Sequence, residues 1–293
     1  MRLVLWLALG LVLVSCPTSA MEPDPAVIIA AGDIAACDSN GDETTASLVD
    51  TLLASHPDAP IAVLGDLAYD SGSSADFANC YAPSWGRFKS RTHPAVGNHE
   101  YITPNAAPYY AYFGASAGDP AKGYYSYDLG GWHMIALNSN CDSIGGCAAG
   151  SAQEQWLRAD LAAHAVNCTL AYWHHPLYSS GVHGNNVFMR DLWQALMDAN
   201  ADLVLVGHDH HYERFAPQDA RGGLDAAKGI REIIVGTGGK TLRPVAQTIA
   251  NSQASNSATL GVLELKLFAD RYDWRFVPEP GSSFTDSGTT NCH

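Results

Sequence analysis

The chain has 293 residues, 47% hydrophobic and 16% charged, a balance that excludes a disordered polypeptide and leaves ample length for a buried core. A formal net charge of −14 excludes the basic stripe that recognition of a nucleic-acid backbone needs, so no nucleic acid scaffold is expected as a partner.

Met1-Arg2 precedes an apolar run from Leu3 to Val14 that ends in Ser15-Cys16. The run is too short to span a bilayer and fits the core of an export signal over residues 1–20. Two processing readings stand. Leu13-Val14-Ser15-Cys16 fits a bacterial lipobox, cleaved before Cys16 to leave a lipidated N-terminus; Thr18-Ser19-Ala20 fits an ordinary signal-peptidase site. The first is favoured because Cys16 stands at the end of the apolar run. The protein is thus expected to be exported, either secreted or periplasmic or lipid-anchored at the cell surface. Membrane contact is expected only through Cys16.

Residues 21–26, containing Pro23-Asp24-Pro25, read as a linker, and 27–293 as one domain without repeats. Val27-Ile28-Ile29-Ala30-Ala31 is a buried-strand run ending in Gly32-Asp33. A helix over 43–54 and a second strand, 61–64, follow, again ending in Gly-Asp. Further strands are expected at 124–128, 132–138, 169–174, 202–206, 231–235, 259–268 and 272–277, and helices at 75–82, 152–163 and 187–199. Gly130-Gly131 makes a hairpin of the first pair, and the last two strands form another; 251–256 reads as a polar loop. Strand–helix alternation with hairpins gives an α/β chain with a mixed sheet system flanked by helices.

Six cysteines remain in the body: Cys37, Cys80, Cys141, Cys147, Cys168 and Cys292. An even count in an exported chain reads as disulfides. A local bridge can close Cys141 to Cys147, and Cys292 can staple the tail, with Cys168 one of its possible partners. Six cysteines allow fifteen pairings, and the spacing does not choose among them.

Ligands in parallel α/β sheets gather beyond the carboxyl ends of strands. Here those ends carry Asp33; Asp66 and Tyr69; Asn98-His99-Glu100; His174-His175; and His208-Asp209-His210. A Gly-Asp after one strand is usually a turn, and a lone histidine is usually packed. Five such ends in one chain make coincidence hard to hold. Gly238-Gly239-Lys240-Thr241 imitates a phosphate-binding loop, but that pattern needs glycine at 234, which is isoleucine; a turn bordering the site is expected instead.

On Gly32-Asp33, Gly65-Asp66-Leu67-Ala68-Tyr69, Gly97-Asn98-His99-Glu100, His174-His175-Pro176 and Gly207-His208-Asp209-His210, the chain resembles the calcineurin-like metallophosphoesterases, and among them the purple acid phosphatases. The resemblance runs from about residue 27 to the C-terminus. It implies two mixed β-sheets packed as a sandwich and flanked by helices. It also implies two metal ions: Fe(III) held by Asp33, Asp66, Tyr69 and His210, and Fe(II), Zn or Mn held by Asp66, Asn98, His174 and His208, with Asp66 as bridge. Ala35 stands where many relatives carry a ligating histidine, and Tyr69 fills that vacancy. His99 and His183 match the non-ligand histidines that contact phosphate and protonate the leaving alkoxide; His175 is read as a supporting residue. His56, His93, His133, His164 and His293 are read as structural.

The activity implied is in-line attack by a metal-bound hydroxide on small phosphate monoesters. Cleavage of phosphodiesters, such as nucleotide or phospholipid headgroup esters, is the alternative at the same site, because specificity belongs to loops such as 101–122 and 141–150. A binding protein that keeps the fold without turnover is the rival from another class, and the complete set of donors argues against it.

Overall fold

The structure, a computed structural model, describes residues 24–245 and 247–293; the export segment expected at 1–20 and residues 21–23 of the linker expected at 21–26 lie outside these residues. The chain begins as the alternation predicts. β1 (Ala26–Ala31), α1 (Gly41–Ser55) and β2 (Ile61–Leu64) form a parallel crossover. Unbroken apolar runs suit strands covered on both faces, and Ile28 to Ala31 and Ile61 to Leu64 are fully buried. Asp42 and Glu43 occupy the first turn of α1, where negative charge complements the helix dipole. Where one helix is expected at 75–82, α2 (Ser74–Asp76), capped by Ser73, leads into a π-turn at Phe77–Tyr81. β3 (Thr92–Ala95) then pairs parallel to β2, and α3 (Ala107–Phe113) crosses the loop beyond it.

The next segment builds a second sheet. The expected hairpin is present as β4 (Tyr125–Leu129) and β5 (Trp132–Ala136), followed by α4 (Ala152–Ala163) and β6 (Thr169–Tyr172). The helix expected at 187–199 opens as a 3-10 turn, Val187–Met189, and becomes α5 (Arg190–Asp198). β7 (Leu203–Val206), β8 (Tyr212–Phe215) and β9 (Arg231–Val235) complete its centre, with β5, β6, β7 and β9 parallel. The segment read as a polar loop is instead β10 (Ser252–Asn256), paired antiparallel with β8 at the sheet edge. Its residues have little strand preference, so pairing makes the strand. β11 (Gly261–Leu267) and β12 (Arg271–Pro278) are the expected terminal hairpin, and β13 (Ser287–Asn291), which nothing in the sequence announces, lies outside it.

The result is an α/β fold of two mixed sheets, ordered β13-β12-β11-β1-β2-β3 and β10-β8-β9-β7-β6-β5-β4. Alternation along the strands divides the core. Leu203 and Leu205 of β7 join Ile28, Leu64 and Val235 in one apolar cluster, while Val204 and Val206 face outward onto Leu157 of α4 and Trp193 and Leu196 of α5. Three disulfides close the chain: Cys37–Cys80, the local Cys141–Cys147, and Cys168–Cys292 at the tail.

Candidate metal centre

The loops leaving the carboxyl ends of β1, β2, β3, β6 and β7 meet at one place. Three residues there hold left-handed backbone: Asp33 (φ 59°), Asp66 (φ 49°) and His208 (φ 70°). Such conformations are uncommon outside glycine, though aspartate and histidine tolerate them best. They turn each side chain back over the strand ends. Gly97 lets this happen, because a Cβ there would overlap the Asp66 carboxylate.

Two groups of donors form around one shared atom. In the first, the Tyr69 hydroxyl lies 2.9 Å from Asp33 Oδ1, 3.1 Å from Asp66 Oδ2 and 3.2 Å from His210 Nε2. In the second, His174 Nε2 lies 3.0 Å from Asn98 Oδ1 and 3.2 Å from the same Asp66 Oδ2, with His208 close enough for one nitrogen to join Asp66 and His174 around a single ion. Separations near 3 Å match the edges of a coordination polyhedron with bonds of about 2.1 Å.

The backs of the imidazoles are pinned. His174 Nδ1 donates to Leu64 O at 2.8 Å, and His210 Nδ1 donates to Thr241 O at 2.9 Å. Carbonyl oxygens only accept, so each ring presents Nε2 to the centre without a proton committed elsewhere. This is the tautomer a metal-binding histidine needs. The mixed oxygen and nitrogen donors suit Fe, Zn or Mn, so the residues fit two cations.

Without such charge the centre is unbalanced. Burial and then the Asp33 and Asp66 carboxylates push the Tyr69 phenol well above its usual value. Burial opposes a charged His174, yet Asp66 pushes this imidazole up to about 9 and is itself held below the usual carboxylate range despite its own burial. Burial and the neighbouring His174 push His208 down. Asp66 and His174 thus favour each other's charged forms at a place where a cation would favour the carboxylate instead.

His99 and His183 flank these groups. His99 Nδ1 donates to Asp70 O at 2.5 Å, its backbone N–H donates to Asp66 Oδ1 at 2.9 Å, and its Nε2 faces Asp66 Oδ2 at 3.8 Å. His183 is exposed, its ring centre 4.4 Å from that of His208, and its Nε2 accepts from Arg243 Nη1 at 2.6 Å. His175 is half-buried beside the centre, its Nδ1 against Ser139 Oγ at 2.8 Å and its ring 4.4 Å from His208. Residues 208–211 form a bend, and Asp209 points away from His208 and His210, accepting from Ser179 Oγ and from His183 N. The remaining histidines make contacts elsewhere: His56 meets Glu264, His93 stacks on Tyr127, His133 bridges Asp128 and Asp160, His164 stacks on His133, His211 meets Glu213, and His293 meets Asp202.

Sequence reasoning missed four supports. Glu100, fully buried, accepts from the backbone N–H groups of Asp66, Leu67 and Gly97 at 2.8–3.0 Å, tying two donor loops together. Burial and then Asp66 raise its carboxyl to about 7, against the pull of those donors. Glu232 accepts from Leu177 and Tyr178 N–H and anchors the segment after His174. Lys240 and Arg243 come from the glycine-rich turn after β9, which borders the site as anticipated. Lys240 N–H donates to Asp33 O, Arg243 N–H donates to His210 O, and the Lys240 ammonium lies 4.6 Å from the Tyr69 ring centre. A glycine-rich turn directly after a central parallel strand was the signal available for these two cations.

Comparison with known proteins gives a consistent family. The model of the calcineurin-like phosphoesterases matches residues 26–212. Purple acid phosphatase 23 of Arabidopsis thaliana is 29% identical over 215 residues, covering 66% of this chain and 43% of its own length. An uncharacterised protein of Mycobacterium tuberculosis is 30% identical over 183 residues, covering 50% of this chain and 35% of its own length. The chain therefore spans less than half the length of these curated relatives. A purple acid phosphatase from yellow lupin seeds superposes with a TM-score of 0.72 at 19% identity, over 92% of this chain and 55% of that one, a likeness of fold.

Proposed function

The chain belongs to the calcineurin-like phosphoesterase family, and from that premise we propose that it hydrolyses phosphate monoesters at a centre of two cations. The observation that carries the reading is Asp66 Oδ2, one carboxylate oxygen about 3 Å from both donor groups. Fold alone would license no activity; the complete donor set does. Asp33, Asp66, Tyr69 and His210 would hold the first cation, where a phenolate favours Fe(III). Asp66, Asn98, His174 and His208 would hold Fe(II), Zn or Mn. When bound, such a pair activates water and stabilises the attacking and leaving oxygens of an in-line displacement.

The chain's own residues supply the rest. Because His99 Nδ1 is committed to Asp70 O, only Nε2 is available to carry a proton to the leaving oxygen. Arg243 has no carboxylate partner among the described residues, and its guanidinium meets His183 beside His208. Together they place donors where the non-bridging oxygens of a phosphate would lie. Export is part of the same proposal, in secreted or Cys16-lipidated form. Three disulfides support it, since they persist in oxidising compartments.

The test is a comparison of p-nitrophenyl phosphate with its bis ester on metal-reconstituted protein. A monoester preference is expected. A higher kcat/KM on the bis ester would transfer the site to phosphodiesters.

A further inference from the structure

We propose that the cavity beside His175 is a leaving-group subsite that takes the planar aromatic ring of a phosphate ester; this rests on the phosphatase reading and narrows its substrate class. The cavity holds about 380 Å³ and lies between the loop after β5 and the segment before α5. Ser139, Asn140, Asp142 and Ser143 line one side, and Phe188 and His175 the other.

Its position follows from three contacts. The His175 ring is 4.4 Å from that of His208 and 5.0 Å from that of His174, so the cavity begins one imidazole away from the second donor group. Asn140 Nδ2 donates to Val96 O at 3.2 Å, just before Gly97-Asn98, so its polar wall rests on another donor loop. Ser139 Oγ holds His175 through both its Nδ1 and its backbone N–H, at 2.8 and 3.0 Å. An ester whose phosphate occupies the metal centre therefore has its alcohol portion within reach of this space.

The lining selects a ring. Phe188 is 44% exposed and meets His175 edge-on at 5.7 Å, so much of an aromatic side chain is left for a ligand. Of the six large hydrophobic residues exposed among the described residues, Val182, Val187 and Phe188 fall in one short stretch of chain, and Phe188 lines the cavity. Exposed apolar groups gathered in one stretch signal binding more than scattered ones do. Opposite Phe188, the amide and carboxylate of Asn140 and Asp142 offer hydrogen bonds to a hydroxyl or amino substituent. Cys141–Cys147 closes the polar wall into a short loop, so the cavity is largely formed before binding. A small polyol would leave it mostly empty.

Two chemical sources share such a ring, aryl phosphates and nucleoside monophosphates, and the experiment separates them. kcat/KM is measured on phenyl phosphate, adenosine 5′-monophosphate and glycerol phosphate for the wild type, Phe188→Ala and Phe188→Trp. Each aromatic rate is taken as a ratio to the glycerol phosphate rate, and the ratio is compared between variant and wild type, which cancels the intrinsic reactivity of each ester. Phe188→Ala should lower the ratio about tenfold, the scale of one base–aromatic stack, and Phe188→Trp should preserve it. A fall confined to the nucleotide makes nucleosides the source, and a fall confined to phenyl phosphate makes it simple aryl groups. Unchanged ratios for both overturn the proposal. In parallel, phenol and adenosine, which carry no phosphate, are titrated into the same proteins by ligand-observed NMR. If the metal-loaded wild type cleaves none of the esters, the phosphatase reading fails and the titration decides the cavity. Binding that Phe188→Ala weakens keeps the aromatic subsite; no binding of either compound removes it.

Discussion

Tyr69 occupies the position on which the identity of the first cation turns. Its hydroxyl sits among Asp33, Asp66 and His210, and its ring lies under the Lys240 ammonium. Burial and then the surrounding carboxylates oppose ionisation of the phenol, a balance that a cation of high charge would reverse. Iron-loaded protein should therefore be coloured, and Tyr69→Phe should lose the visible absorption band while folding normally; a band that survives would remove tyrosinate from the centre. At this scale the sequence was most informative. Each of the seven expected ligands lies a few residues beyond an apolar strand run, and the family resemblance carried by those runs is what assigned them to two cations. Glu100 and Arg243 were harder to see. Their partners, Asp66 and His183, lie in other segments, and nothing local to either residue announces the contact.

Among the elements, the loops matter more than the strands they follow. Glu100 joins the loop after β2 to the loop after β3 by accepting from three buried backbone groups. Removing the carboxylate leaves those N–H groups unpaired, each at a cost of about 1–3 kcal/mol. Glu100→Ala should lower stability by roughly 3 kcal/mol or more and weaken metal retention at both proposed positions, because Asp66 would serve both; denaturant melts with metal analysis would measure this, and an unshifted midpoint would contradict it. Central elements were readable because parallel strands buried on both faces carry unbroken apolar runs. β8, β10 and β13 were not, since β8 is a short antiparallel strand and an edge strand such as Ser252–Asn256 owes its conformation to a partner contributed by distant chain.

Across the whole molecule, two sheets with opposed inner faces bring strand ends from both halves of the chain to one centre. Asp33, Tyr69 and Asn98 come from the first sheet, and His174, His208 and His210 from the second. The fold class followed from the strand–helix alternation. The division into two sheets came only with the family resemblance, because sheet membership depends on pairings that no local pattern encodes. The Cys168–Cys292 bridge encloses a sequence separation of 124 residues and fastens the tail beside β6. Loop-closure entropy assigns it roughly 4–5 kcal/mol, against about 2 for Cys141–Cys147. Replacing both cysteines of the long bridge by serine should lower the urea midpoint more than the same change at the short one, and equal midpoints would contradict that ranking.

The central claim, one carboxylate shared by two cations, is tested most directly by metal stoichiometry of the wild type and Asp66→Asn after identical reconstitution with iron and zinc. About two metals per chain in the wild type, with both sites depleted in the variant, is the expected result. A variant that retains two metals, or a wild type that never holds more than one, would contradict it.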